Sequence, residues 1–366
     1  MKNKLLLSSA LVGSLVAGST AVNAQAVYGA SVNPVAGTTV SGNLFLDWRQ
    51  VTQKTSASNT ANSRNGWGRE TQLNIANKGK LSNGMDYAAG FSLEFDAPAG
   101  AAYETGVSPT SVSNENIYID LISGNTTLTF GIDHIQNSTA EVAPHTGLTL
   151  IDSATTAFGT TLSATTQVGP RSKEAMGAGI MQNIPGVGVA SFWYVPQGGD
   201  TGGTEQSINN SLARNKNYEV GLKGSNPGGL NGLSYQYFYA KENKTAGVTA
   251  QVADLTAQSY GAAYNFGTVA VGAQRHKTGG LGFAATDVVA DTMSATYAVN
   301  KDLTLGIAKT KTSKTGTAQD ETLKTVSVGY SLGPVAVIAD YIQANNIANI
   351  ATDDGKVFGV HLRTNF

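Results

Sequence analysis

The sequence predicts an all-β protein, a transmembrane antiparallel barrel of about 16 strands, and three observations predict it. From Thr38 onward apolar and polar residues alternate in segments close to the roughly 9–11 residues that cross a bilayer as a tilted strand. The links between segments alternate between tight turns and longer stretches. Charged residues make up only 13% of the chain against 41% hydrophobic ones, yet past the N-terminal segment no run approaches the roughly 18 apolar residues of a membrane helix.

The chain begins with Lys2 and Lys4, an apolar run from Leu5 to Gly18, and the small-residue pattern Val22-Asn23-Ala24. That order predicts a secretory signal over 1–24, cleaved before Gln25. The run is too short, and too rich in Gly and Ser, to span a bilayer. Residues 25–37 then form an N-terminal extension, and 38–366 form the barrel. Without the signal, 22 basic residues face 25 acidic ones, which leaves no electrostatic footprint for nucleic acid. The absence of cysteine excludes disulfides and thiolate metal sites, and export without disulfides suits a bacterial envelope. No Pro-rich linker or charge run divides the chain, so one large domain is expected.

Strands are predicted near 38–49, 67–77, 85–95, 115–122, 126–133, 174–183, 187–195, 217–224, 231–241, 257–265, 267–276, 290–298, 302–312, 321–331, 334–343 and 355–366. The clearest runs from Met85 to Phe95, apolar at odd positions and polar or small at even ones. The same period places Val40, Leu44, Leu46 and Trp48 opposite Ser41, Asn43, Asp47 and Arg49. In the final VFGVHLRTNF, Phe358, Val360, Leu362, Thr364 and Phe366 face one way, and Val357, Gly359, His361, Arg363 and Asn365 the other. Tight turns at 123–125, 184–186, 266–267 and 332–334 mark one rim of a barrel, and links of ten or more residues mark the other. A soluble sandwich also alternates, but it hides its apolar face; here that face carries Tyr, Phe and Trp near strand ends, the pattern of an aromatic girdle.

These stretches resemble the general porins of Gram-negative bacteria, which are trimeric and sixteen-stranded. TQLNIANKGKLSNGMDYAAGFSLEFD is similar to the second and third strands of that family, with the turn Leu81-Ser82-Asn83-Gly84, and IYIDLISGNTTLTFGID to the fourth and fifth. YNFGTVAVGAQ at 264–274 matches a family hairpin, and VSVGYSLGPVAVIADY with VFGVHLRTNF matches the last three strands. The resemblance implies multi-pass insertion in the outer membrane, short periplasmic turns and long extracellular loops. It also implies a homotrimer, contact with outer-membrane lipid and lipopolysaccharide, and a terminal Phe366 read by the barrel-assembly machinery. It implies further that the link 134–173 folds into the lumen as a constriction loop, where Glu141 and Asp152 are its acids. The chain departs from the family in three places: Gln72 stands where arginine is frequent, the P-E-F-G-G stretch of the third loop is missing, and residues 25–37 precede the first strand.

A sixteen-stranded barrel encloses a water-filled lumen, so the expected function is passive diffusion of small hydrophilic solutes and ions. Lumen charges then set selectivity. Strand parity places Asp47, Arg49, Glu70, Gln72, Asp86, Glu94, Asp120, Glu219 and Lys223 on the pore wall, with Asp340 and Arg363. Acids outnumber bases there, which predicts a weak preference for cations. A structural or adhesive surface barrel with little conductance is the alternative. No cofactor or metal is expected, and enzyme chemistry is poorly supported: His134, His145, His276 and His361 form no nucleophile–base pattern and read as isolated, solvated side chains. Arg275, Lys309 and Lys324 have lipid-facing parity, and are expected at the extracellular rim as a phosphate-binding patch for lipopolysaccharide.

Overall fold

The computed structural model describes residues 37–55, 58–94, 113–132, 176–196, 216–243, 254–281 and 286–366. Sixteen strands pair in chain order, each antiparallel to its sequence neighbours, and the first pairs with the last to close the ring. They are β1 (Gly37–Thr55), β2 (Ser58–Lys80), β3 (Asp86–Glu94), β4 (Ser113–Ser123), β5 (Thr126–Ile132), β6 (Met176–Ile184), β7 (Gly188–Val195) and β8 (Asn217–Ser225). The second half comprises β9 (Leu233–Glu242), β10 (Leu255–Asn265), β11 (Val269–Leu281), β12 (Thr286–Ala298), β13 (Leu303–Lys314), β14 (Glu321–Leu332), β15 (Val335–Asn345) and β16 (Asp354–Asn365).

Every predicted segment forms a strand, but several run further than the alternation suggests. β1 and β2 continue past Gln50 and begin before Trp67, pairing from Val51↔Arg64 up to Thr55↔Ser58. The added residues are mostly Gln, Thr, Ser and Asn, with Val51, Lys54, Ala61, Arg64 and Gly66 among them. Such a hairpin stands clear of the apolar belt, so its ladder persists where the apolar period that reveals strands has ended. β11 and β12 are extended in the same way, to Leu281 and from Thr286.

Seven connections at one rim are short, among them the two-residue turns 124–125 and 333–334. Gly124 (φ 56°) and Gly333 (φ 70°) adopt the left-handed conformation that such hairpins require, which glycine reaches without steric cost. The connections at the opposite rim include 95–112, 133–175 and 196–216. The predicted signal (1–24), the extension and the constriction loop with Glu141 and Asp152 lie outside the described residues.

Burial alternates along the strands and separates two faces. The outer one carries Trp67, Phe91, Ile119, Phe130, Ile180, Phe192, Val220, Val271, Met293, Ile307, Val326 and Phe358, all exposed. A water-soluble monomer rarely exposes more than a few hundred Å² of contiguous apolar surface. A belt continued over strand after strand of a closed ring marks a surface solvated by lipid hydrocarbon. Closure also leaves no free strand edge, so the backbone groups of the belt pair from strand to strand, as a bilayer demands, with a register shift between Phe91 and Leu93 where the Asn116 N–H turns to the Ser92 hydroxyl.

The two ends of the described chain meet at the short-turn rim. The Phe366 N–H donates to Gly42 O (3.0 Å), and the Gly42 N–H donates to Phe366 O (2.9 Å). The Phe366 ring lies on Gly42: a Cβ at that glycine would stand 2.6 Å from Phe366 Cζ and 2.5 Å from Gln72 O.

Candidate functional site

The inner face is polar and charged, and its densest cluster spans the seam where β15, β16 and β1 meet. Register sets Asp47 opposite His361, Phe45 opposite Arg363, and Asp340 opposite Gly359. Asp47 and Arg49, two residues apart on β1, form an ion pair of 2.7 Å and are both buried. His361, buried between two acids, has Nε2 3.3 Å from Asp340 Oδ1 and Nδ1 3.7 Å from Asp47 Oδ2. Its ring stacks on Phe45 with centroids 5.8 Å apart, and the Arg363 guanidinium sits 5.2 Å above that phenyl ring. Gly359 makes the close packing possible, because a Cβ there would stand 2.5 Å from both Asp340 Oδ1 and His361 Nε2.

The other predicted wall residues are spread around the ring. Gln72 is buried and accepts a hydrogen bond from Asn43 Nδ2 (3.2 Å). Asp120 is buried and accepts from the Thr129 hydroxyl (2.8 Å). Asp86 pairs with Lys80 at the short-turn rim (2.6 Å). Glu219 is buried near the opposite end of β8 from Lys223, which is exposed. Glu70 and Glu94 stand opposite Phe45 and Gln72 in the β1–β2 and β2–β3 ladders. Trp193, whose facing the alternation leaves open, packs inward with Met181 and Val195.

Two features escape sequence reasoning. His361 is not a solvated, isolated histidine: the seam register brings it between carboxylates that lie 314 and 21 residues away in the chain, a relation that no spacing reveals. His276 is likewise buried and meets the Gln274 amide (2.5 Å). The second feature is the turn 346–353, which folds inward. Ile347 joins the lumen-side apolar cluster of Val51, Ala290, Leu323, Ile342, Ala344 and Val357. Asn349 Nδ2 donates to Thr312 O (2.8 Å) and Gln319 O (3.0 Å), and the Ala348 N–H donates to Glu321 Oε2 (2.8 Å). Ala348 (φ 55°) and Asn349 (φ 62°) are held in the left-handed region, at about 1–2 kcal/mol each for residues with a Cβ. We expect Asn349→Ala to release the turn, since it removes two hydrogen bonds worth about 1 kcal/mol each. Single-channel current should become larger or noisier; traces identical to those of the parent protein would show that the turn does not narrow the lumen.

The three cations expected at the lipid-facing rim all point outward and are exposed, but they differ in company. The Arg275 guanidinium makes a two-pronged contact with Asp291 (Nε–Oδ1 2.5 Å, Nη2–Oδ2 2.7 Å). Its charge is therefore matched, which removes it from a phosphate-binding patch. Lys309 and Lys324 stand directly opposite one another. All three lie at the upper edge of the outer apolar belt, below the ends of their strands.

Among the described residues, no three His, Asp or Glu side chains are arranged to hold a metal ion. A closed sixteen-strand ring, apolar outside and charged within, is a membrane-spanning barrel. The profile of a family described as Gram-negative porin matches residues 8–346. The chain belongs to that family, and is a multi-pass protein of the outer membrane. Among solved structures it is similar to an anion-selective porin from Comamonas acidovorans (14% identity, TM-score 0.63), covering 91% of this chain and 100% of the other. Engineered variants of the Rhodopseudomonas blastica porin are similar at 15% identity and TM-scores of 0.57 and 0.55, covering 90% of this chain and 100% of theirs. A search of curated protein sequences found no match.

Proposed function

We propose that this porin passes small hydrophilic solutes and ions passively through a water-filled lumen, with the short-turn rim toward the periplasm. The observation that carries the reading is the partition of charge, with acids, bases and amides along the inner face and apolar side chains over the belt outside. Inner-face charges act as selectivity elements by setting the local potential. Among the residues whose side chains are described, Asp47, Asp86, Asp120, Glu219, Glu242, Glu321 and Asp340 narrowly outnumber Arg49, Lys78, Lys80, Lys223, Lys314 and Arg363 on the inward parity, and Glu70 and Glu94 share that parity. This supports a weak preference for cations. In a planar bilayer the purified protein should give discrete conductance steps, with a reversal potential in a potassium chloride gradient displaced slightly toward the potassium side. Anion preference would overturn the selectivity, and a folded barrel that does not conduct would overturn the channel reading in favour of a structural or adhesive barrel.

The same reading includes a homotrimer, supported by family membership and by the broad apolar outer face of β1–β7. Light scattering of the detergent-extracted protein should give the mass of three chains; a single-chain mass would count against it.

A further inference from the structure

On the lipid-facing side of β13–β16 the hydrogen-bonded registers line up Lys309, Lys324, Gln343 and Lys356 in one cross-strand row. The outward position two residues nearer the short-turn rim is apolar on each lysine strand: Ile307, Val326 and Phe358. The row therefore marks the line at which the outer surface changes from hydrocarbon-facing to cationic. The adjacent row toward the long-loop rim is compensated, with Arg275 on Asp291 and Lys311 2.7 Å from Asp320. Among the described residues no acid pairs with Lys309, Lys324 or Lys356.

This row works against the barrel on its own. Lys309 and Lys324 are direct cross-strand partners, whose Cβ atoms stand about 4.5–5.5 Å apart, and like charges so placed repel. A cation on the lipid side also becomes costlier with depth. Both penalties vanish if an anion bridges the ammonium groups, and at the edge of the belt the available anions are lipid head groups. Neighbouring strands lie about 4.8 Å apart. Lys309 and Lys324 can thus grip one phosphate from both sides, with Lys356 two strands beyond and the Gln343 amide between them. Ammonium–phosphate hydrogen bonds are charge-assisted and among the stronger ones.

We propose that Lys309, Lys324 and Lys356, with Gln343, form a binding site for the phosphate-bearing head group of an outer-leaflet lipid. The phosphorylated disaccharide of lipopolysaccharide is the chemistry that fits an extended cationic row. This replaces Arg275 with Lys356 in the patch expected from the sequence. It rests on the outer-membrane location and not on the conductance reading.

The test uses the full-length porin in detergent, titrated with diphosphorylated lipid A in mixed micelles. Binding is followed by native mass spectrometry and by the temperature at which the folded band is lost on a gel. Lipid A should bind and raise that temperature, whereas dephosphorylated lipid A or inorganic phosphate at equal concentration should not. The Lys309→Gln/Lys324→Gln/Lys356→Gln variant should bind about a hundredfold more weakly, taking ~1 kcal/mol per lysine at a membrane surface and tenfold per ~1.4 kcal/mol. Its conductance should be unchanged. The corresponding triple arginine variant should retain binding, and so should Arg275→Gln/Asp291→Asn, which removes a compensated pair. If the triple glutamine variant does not assemble, Lys309→Gln/Lys356→Gln relieves the like-charge pair and should weaken binding by more than tenfold on the same scale. Undiminished lipid A binding, equal protection by inorganic phosphate, equal loss in the Arg275/Asp291 variant, or an effect confined to oligomer mass would overturn the site.

Discussion

Phe366→Asp should sharply lower the amount of folded barrel in the outer membrane of living cells, while the same chain refolded in detergent still closes. The two expectations separate because Phe366 has two roles of different size. Structurally its backbone gives the last two ladder bonds of the β1–β16 seam, to Gly42. Those bonds survive the substitution, and the loss is the ring that lies on Gly42. An aromatic covering a strand glycine protects its backbone and pins the local register. That is a modest contribution, on the order of 1 kcal/mol, in the range of cross-strand pairs. The larger loss is expected in assembly, because we propose that this residue carries the address read by the barrel-assembly machinery. Quantifying heat-modifiable barrel in membrane fractions, beside refolding yield in detergent, tests both parts. Equal loss in the two would make Phe366 a structural residue only, and wild-type levels in cells would remove the assembly role. Gly42→Val probes the seam alone: its side chain would meet Gln72 O and the Phe366 ring, so refolding yield should fall in detergent as well.

The strands were legible in the sequence because a belt solvated by hydrocarbon on one side and by a polar interior on the other writes its period directly into residues such as those from Met85 to Phe95. Where that contrast ends, legibility ends. The Ser- and Asn-rich start of β2 forms a long ladder with no apolar alternation, so hydrogen bonding continues without a compositional mark. Facing was legible for the same reason: Arg275, Lys309 and Lys324 point outward as their parity predicts. Their partners were not. Asp291 reaches Arg275 through the β11–β12 register, and Lys356 joins Lys309 and Lys324 through three successive registers, none of which local sequence fixes. The inward turn at 346–353 left only a faint trace, the asparagines Asn346 and Asn349, a residue type that tolerates the left-handed conformation both adopt.

The seam cluster carries the second large expectation, that Arg49→Leu destabilises the barrel by about 3–5 kcal/mol, the cost of removing one partner from a buried ion pair. Asp47 and Arg49 are both nearly inaccessible, at 1% and 3% of side-chain surface, so water cannot take over the solvation of the carboxylate that remains. The deficit is compounded by neighbours. Asp340 lies on the far side of His361, so loss of Arg49 leaves two acids about one imidazole where four groups had been in contact. Position matters as well, because β1 and β16 are the first and last of the described strands and their ladder closes the ring with no turn joining them. Asp47→Asn/Arg49→Leu should recover most of the loss: replacing both members of a buried pair leaves no uncompensated charge, and residues in direct contact are not additive. Guanidinium-induced unfolding of the purified porin measures the series, and reversal potentials read the same substitutions electrically. Arg49→Leu should move selectivity toward cations, and the double variant should return it near the parent value. An Arg49→Leu barrel as stable as the parent, or a double variant no more stable than the single, would show that the seam is held by its backbone ladder alone and that its charges serve only the lumen.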